Sequence, residues 1–137
     1  MNPRAHVKNW ERSSRGVIAS LAALALAMIA APGPSWAHAV LVKSAPARGA
    51  TLSRPPERIE LRFNERLEAA FSTVSVWSAA GVQVDRQDIT VGSDDPKRLS
   101  VTLGPLEPGT YTVRFRVLSV DGHIAESSFP FTVRVRP

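Results

Sequence analysis

Apolar and polar residues alternate over short stretches along residues 38–137, and a period of two residues is typical of β-strands that bury one face. The clearest stretch puts four apolar residues on one face: Tyr111, Val113, Phe115 and Val117. The same alternation recurs in residues 59–64, 74–76, 99–103 and 129–135. Dipeptides that favour turns, such as Pro55-Pro56 and Gly104-Pro105, separate these stretches. The pattern predicts an all-β domain, an antiparallel β-sandwich or barrel of about seven strands.

Three segments add detail to this prediction. Ala80-Gly81 favours a turn, so residues 82–84 are expected to form a return strand after residues 74–76. Residues 65–71 fit either one helical turn or a loop between strands. Pro108-Gly109-Thr110-Tyr111 resembles the tyrosine corner of immunoglobulin-like sandwiches, in which a tyrosine hydroxyl binds the backbone of a loop. We therefore expect Tyr111 to have a structural role.

Residues 1–37 have the pattern of a secretory signal peptide. Residues 1–15 are basic, and residues 17–31 are an uncharged run rich in Leu and Ala. This run of about 15 residues is short for a membrane span, which needs roughly 20. Ser35-Trp36-Ala37 is a small-x-small cleavage pattern, so we expect cleavage after Ala37. The mature protein is then one domain, residues 38–137, exported from the cytoplasm and without a membrane span.

Composition narrows the chemistry of this domain. The net charge of the whole chain is +5, but the leader holds four of the 17 basic and one of the 12 acidic residues. The mature domain is thus close to +2, which does not favour nucleic-acid binding. The chain has no cysteine, and both methionines, Met1 and Met28, lie in the leader. A mature domain without sulfur ligands is not equipped for Cu(I), which prefers them.

Cleavage after Ala37 would make His38 the first residue, and this suggests a metal site. An N-terminal histidine offers its α-amine and its ring Nδ1 to one ion. Asp121-Gly122-His123 adds a carboxylate and a second imidazole, and residues two apart in an extended chain share a face. Zn(II) would accept two histidines and a carboxylate with water as the fourth ligand. The nitrogen-rich set favours Cu(II), which prefers tetragonal nitrogen and oxygen ligands.

These residues belong to a pattern that resembles the CopC family of periplasmic copper-resistance proteins. The matching segments are His38-Ala39-x-Leu41, Ser44-x-Pro46-x-x-Gly49, Ile59-Glu60-Leu61-x-Phe63-Asn64-Glu65, Pro108-Gly109-Thr110-Tyr111-x-Val113 and Val117-x-Ser119-x-Asp121-Gly122-His123. The resemblance implies an immunoglobulin-like Greek-key β-sandwich or barrel with a Cu(II) site at His38, Asp121 and His123. It also implies that Glu65 lies beside the ligands and orients one of them. Related proteins work beside a CopD-type inner-membrane protein, which is a candidate partner.

The chain departs from some members of this family in lacking a Met-rich loop for Cu(I). The resemblance therefore indicates a single Cu(II) site in a carrier or buffer, not an enzyme. One alternative is a copper-dependent oxidative enzyme with a histidine-brace site. Asp121 disfavours it, because a hard anionic ligand favours Cu(II) over the Cu(I) that such chemistry needs. The other alternative is an immunoglobulin-like interaction module without metal.

Overall fold

The structure, a computed structural model, describes residues 38–134. The predicted signal peptide, residues 1–37, and the predicted end of the last strand at Val135 lie outside the described residues. Within residues 38–134 there are eight strands and one turn of 3-10 helix, Ala69–Phe71. The strands are β1 Leu41–Ala45, β2 Thr51–Leu52, β3 Arg58–Phe63, β4 Thr73–Ser78, β5 Thr90–Val91, β6 Arg98–Thr102, β7 Gly109–Leu118 and β8 Ile124–Val133. No helix in this range has the length and apolar character needed to cross a membrane.

The strands form two four-stranded sheets. The first sheet has the order β1-β3-β6-β5, and the second has the order β2-β8-β7-β4. Neighbouring strands are antiparallel, with the exception of β2 and β8, which are parallel. This arrangement confirms the predicted β-sandwich. Two of the strands, β2 and β5, have only two residues, so six longer strands carry most of the ladder.

The core lies between the sheets and consists of the apolar residues that alternate along each strand. On β7, Val113 and Val117 are fully buried, while Arg114 and Arg116 on the other face are exposed. The ring centroids of Phe63, from the first sheet, and Phe115, from the second, are 5.3 Å apart in a T-shaped contact. Edge-to-face pairs of this kind add stability beyond that expected from the apolar area that they bury. The alternation in the sequence thus identifies the inner faces of both sheets.

Tyr111 forms the predicted tyrosine corner. Its hydroxyl donates a hydrogen bond of 2.6 Å to the Glu107 carbonyl oxygen, four residues earlier in the chain. Its ring stacks on Phe131 with the centroids 5.5 Å apart. The residue is buried, so the hydroxyl satisfies its hydrogen bond while the ring packs in the core. The structural role expected for Tyr111 is confirmed.

Two local predictions are confirmed only in part. Residues 82–84 do not form a strand; only an isolated bridge pairs Gln83 with Trp77, and another pairs Asp85 with Leu103. Backbone hydrogen bonds join Ser78 to Val82 and Val84 to Val76, but the Val76 amide donates to the Asp85 carboxylate at 2.8 Å, so the ladder does not continue. Residues 65–71 contain a helical turn, but only over Ala69–Phe71 and of the 3-10 type.

Candidate metal centre

One end of the sandwich brings together three segments that are distant in sequence. They are the segment before β1, the loop after β3 and the turn between β7 and β8. The Asn64 amide donates to the Val40 carbonyl oxygen at 3.1 Å, and the Val120 amide donates to the Arg66 carbonyl oxygen at 3.0 Å. Leu67 and Ser119 form a β-bridge between the loop and the turn. The predicted ligands on the first and third segments therefore lie at the same end of the fold.

The turn between β7 and β8 carries Asp121 and His123. Ser119 and His123 close it, with the Ser119 amide donating to the His123 carbonyl oxygen at 2.9 Å. Gly122 has φ +91°, a left-handed conformation that glycine adopts without steric cost. A tight turn, and not an extended strand, therefore brings the two side chains together, and Gly122 between them permits this bend.

Ser119 organises this turn from inside. It is only 1% exposed, and its hydroxyl lies against the Asp121 carboxylate. The same oxygen is 3.1 Å from the His123 carbonyl oxygen and accepts the His123 amide hydrogen at 3.2 Å. The sequence pattern does not predict this role of Ser119. The available signal was a serine two residues before Asp-Gly, where short polar side chains often bind the backbone of a turn.

Asp121 and His123 contact each other directly. The His123 Nδ1 is 3.1 Å from the Asp121 Oδ1, and both side chains are partly exposed. The pKa of Asp121 is lowered from its ordinary value of 3.8, first by the hydrogen bond from the Ser119 hydroxyl and then by that from the His123 side chain. Asp121 is therefore a carboxylate at neutral pH, the form in which it can coordinate a metal ion.

His38 lies beside this pair. The ring centroids of His38 and His123 are 5.3 Å apart, and the rings are inclined by 45°. The Asn64 side chain holds the segment that carries His38. Its Nδ2 donates to the His38 carbonyl oxygen at 3.2 Å, and its Oδ1 accepts the Val40 amide hydrogen at 2.6 Å. The sequence pattern does not predict this role of Asn64, for which its place directly after β3 is the available signal.

His38 lies beside His123, and His123 contacts Asp121, but the three side chains do not form a metal-binding group. Within the part of the chain that the structure describes, no group of three or more His, Asp or Glu side chains is placed to hold a metal ion. The His38 nitrogen is joined to Ala37 in the full chain, so it is an amide and not the amine of the predicted site. Glu65, directly after Asn64, is half-buried. Its role in orienting a ligand stays a prediction.

The donors at this end have a consistent chemical character. Two imidazoles and one carboxylate are ligands for divalent transition metals, and thiolate and thioether donors are absent from residues 38–134. Imidazole and carboxylate suit Cu(II) and Zn(II), whereas Cu(I) favours sulfur. A free amine at His38 would add a third nitrogen. The types of donor at this end of the fold, and not yet their spacing, are those of a divalent transition-metal site.

Comparison with known proteins gives consistent matches. The family model for the CopC domain matches residues 41–134. Protein YobA of Escherichia coli strain K12 is 36% identical over 114 residues, which cover 82% of this chain and 92% of YobA. Copper resistance protein C of Pseudomonas syringae pv. tomato is 36% identical over 104 residues, covering 72% of this chain and 82% of that protein.

A solved structure matches as well. The crystal structure of CopC from Methylosinus trichosporium OB3b aligns with a TM-score of 0.68 at 34% sequence identity, covering 73% of this chain and 97% of that one. The alignment therefore includes nearly the whole CopC chain. Sequence and fold agree on one family.

Proposed function

Since the chain belongs to the CopC family, we propose that it binds copper outside the cytoplasm, as a carrier or buffer in copper resistance or homeostasis. The observation that carries the proposal is the meeting of His38 and His123, with ring centroids 5.3 Å apart at the end of the sandwich that also holds Asp121. The names of its relatives, copper resistance protein C and CopC, are consistent with this function.

The proposed ion is Cu(II), bound once per chain by His38, Asp121 and His123. Cu(II) stands highest in the affinity order of the divalent ions and prefers nitrogen ligands near one plane. Asp121 is a hard anionic ligand, so it stabilises Cu(II) against reduction. For this reason the proposal is a binding protein and not an oxidative enzyme. Glu65 is proposed to orient a ligand from the loop after β3.

The site is proposed to form only in the processed protein. Residues 1–37 would be a signal peptide that directs residues 38–137 to the periplasm and is removed after Ala37. Cleavage converts the His38 amide into an amine, which provides the third nitrogen. A CopD-type inner-membrane protein is the proposed partner that exchanges copper with the domain.

The experiment compares Cu(II) binding by protein that begins at His38 with binding by protein that retains Ala37 as one extra residue. We expect the extension to weaken binding by about a hundredfold or more, because it removes a ligand and not merely a neighbour of one. Electron paramagnetic resonance then reports the ligands: nitrogen hyperfine structure should simplify in His123→Ala. Binding should also weaken as the pH falls, because protons compete for the amine and both imidazoles.

Matched variants separate ligand loss from general damage. Asp121→Asn removes the proposed carboxylate ligand, and we expect weaker Cu(II) binding. Asp88→Asn makes the same chemical change at a carboxylate that contacts Thr102, the last residue of β6, and is not a proposed ligand. It should leave Cu(II) binding unchanged. Equal affinity with and without the extra residue, or equal effects of the two Asp variants, would contradict the proposed site.

A further inference from the structure

The outer face of the second sheet forms a groove across β4, β7 and β8, and none of the residues that line it is a proposed metal ligand. We propose that this groove docks an acidic segment of a partner protein. Its volume is about 490 Å³. Six of the residues that line it are Thr73, Ser75, Arg114, Arg116, Glu126 and Ser128. We call it the arginine groove.

The charge of the arginine groove is positive. Arg114 and Arg116 point outward from β7, and Glu126 is the only acidic residue that lines the groove. Arg116 Nε is 3.8 Å from Glu126 Oε2, and the two side chains are 53% and 72% exposed. An exposed pair at this distance contributes little stability. A carboxylate from another molecule can therefore replace Glu126 at Arg116 with little loss of stability.

The neighbours of Arg114 hold its guanidinium in a position from which it can bind an anion. Its guanidinium lies over the Trp77 ring, 5.6 Å from the centroid, and this contact limits its motion. The Trp77 Nε1 donates a hydrogen bond of 2.9 Å to the Ser75 Oγ. Because the serine oxygen accepts this bond, its own hydrogen can be donated to an anion in the groove. Ser75 and Arg114 are paired across β4 and β7, so both donors reach the same place.

The shape favours a polypeptide over a single small ion or a membrane. Neighbouring strands are about 4.8 Å apart, so the three strands together span roughly 10 Å, enough to lie under an extended chain with carboxylate side chains. Arginine binds carboxylates in a planar, two-bond geometry. Recognition of an anionic membrane generally needs about four to eight clustered basic residues, and this groove has two arginines.

The groove leads toward the candidate metal centre along a single hairpin. Arg116 is three residues before Ser119, which is about 10 Å along a strand. A partner held in the groove would therefore lie beside the turn that carries Asp121 and His123. The docking proposal does not require copper, so it is tested on metal-free protein.

The experiment titrates the metal-free protein with a Glu-Gly repeat peptide and with the matching Gln-Gly peptide, followed by NMR. We expect the acidic peptide alone to shift the amide signals of β4, β7 and β8 and the indole N–H signal of Trp77. Arg114→Glu with Arg116→Glu should weaken peptide binding about tenfold or more, and Glu126→Gln should strengthen it. Binding should weaken with added salt, because the contacts are exposed.

A control on the first sheet tests whether the net charge of the protein alone accounts for binding of the acidic peptide. Arg58→Glu with Arg62→Glu makes the same change of charge on β3 of the first sheet, and it should leave peptide binding nearly intact. Equal losses in the two double variants would overturn the proposal, as would shifts spread evenly over the surface. Binding to phosphatidylglycerol vesicles without binding to the acidic peptide would assign the groove to a membrane instead.

Discussion

At the scale of single residues, two polar side chains shape the candidate metal centre without being ligands. Ser119 closes the turn of Asp121 and His123, and Asn64 joins the segment of His38 to the end of β3. The sequence pattern placed Asp121 and His123 after a strong strand, which is correct. It did not find Ser119 or Asn64, because each acts through backbone groups that only the folded chain brings within reach.

Ser119→Ala is expected to destabilise the protein by about 1–3 kcal/mol, because it leaves buried polar groups of the turn without their partner. It should also raise the pKa of Asp121 toward 3.8, since the Ser119 hydroxyl is the first cause of the lowered value. Urea denaturation measures the first effect, and NMR titration of the carboxyl carbon measures the second. Ser93→Ala, at an exposed loop position, is the control and should change neither. An unchanged pKa in Ser119→Ala would contradict this role of the hydroxyl.

Asp88 gives a pH dependence that is separate from the candidate metal centre. The Thr102 side chain and amide both donate to its carboxylate, at 2.5 and 2.9 Å, and lower its pKa below 3.8. Because the pKa of Asp88 is lowered in the folded state, its carboxylate adds to the stability of the fold. This added stability is complete above pH 3.8 and is lost as the pH falls through the folded pKa. Thr102→Val should move the NMR titration midpoint of Asp88 upward. A midpoint that stays in place would show that the Thr102 hydroxyl does not hold the carboxylate.

At the scale of elements, the hairpin of β7 and β8 shows what periodicity can and cannot predict. The alternation predicts a strand over residues 110–117, and β7 is longer by one residue at each end. β8 begins at Ile124, five residues before the predicted start at Phe129. Residues 124–128 are exposed or half-buried on both faces, so they show no alternation, and pairing with β7 makes them a strand. At residues 82–84 the difference is in the other direction: the sequence alternates, but the segment forms only an isolated bridge and not a strand.

Tyr111→Phe tests the link between β7 and the preceding loop. The variant keeps the ring that stacks on Phe131 and removes only the hydroxyl that donates to the Glu107 carbonyl. We expect a loss of about 0.5–1.5 kcal/mol in the free energy of unfolding, the usual net value of one hydrogen bond. Thermal or urea unfolding measures it. A loss of several kcal/mol would mean that the substitution also disturbs the packing of the ring.

At the scale of the whole molecule, the sandwich is stabilised without a disulfide, because the chain has no cysteine. The two inner faces must therefore supply the stability of the domain. The sequence predicted both faces and the β class, since alternation reports burial directly. It could not predict the order of strands in each sheet, because pairing between distant segments leaves no local signal.

Phe63→Ala should remove about 3–5 kcal/mol from the free energy of unfolding, because it leaves a cavity beside Phe115 between the sheets. Such a loss is a large part of the roughly 5–15 kcal/mol that stabilises a typical domain. Phe71→Ala is the matched control. Phe71 is 62% exposed, so its removal should cost much less. Denaturation curves of the two variants compare them directly, and similar losses would show that Phe63 is not part of the core.

The Asn64 contact has a consequence for the kinetics of metal capture. Its amide holds the backbone on both sides of Ala39, so the chain is already fixed at Val40, two residues after His38. A free chain terminus loses conformational entropy when it closes on a second ligand. Because only Ala39 separates His38 from the fixed residue Val40, the His38 imidazole is present near His123 at a high effective concentration. If both imidazoles bind the proposed ion, coordination by the second would be an intramolecular step, and the ion would leave only when the second bond breaks before the first re-forms.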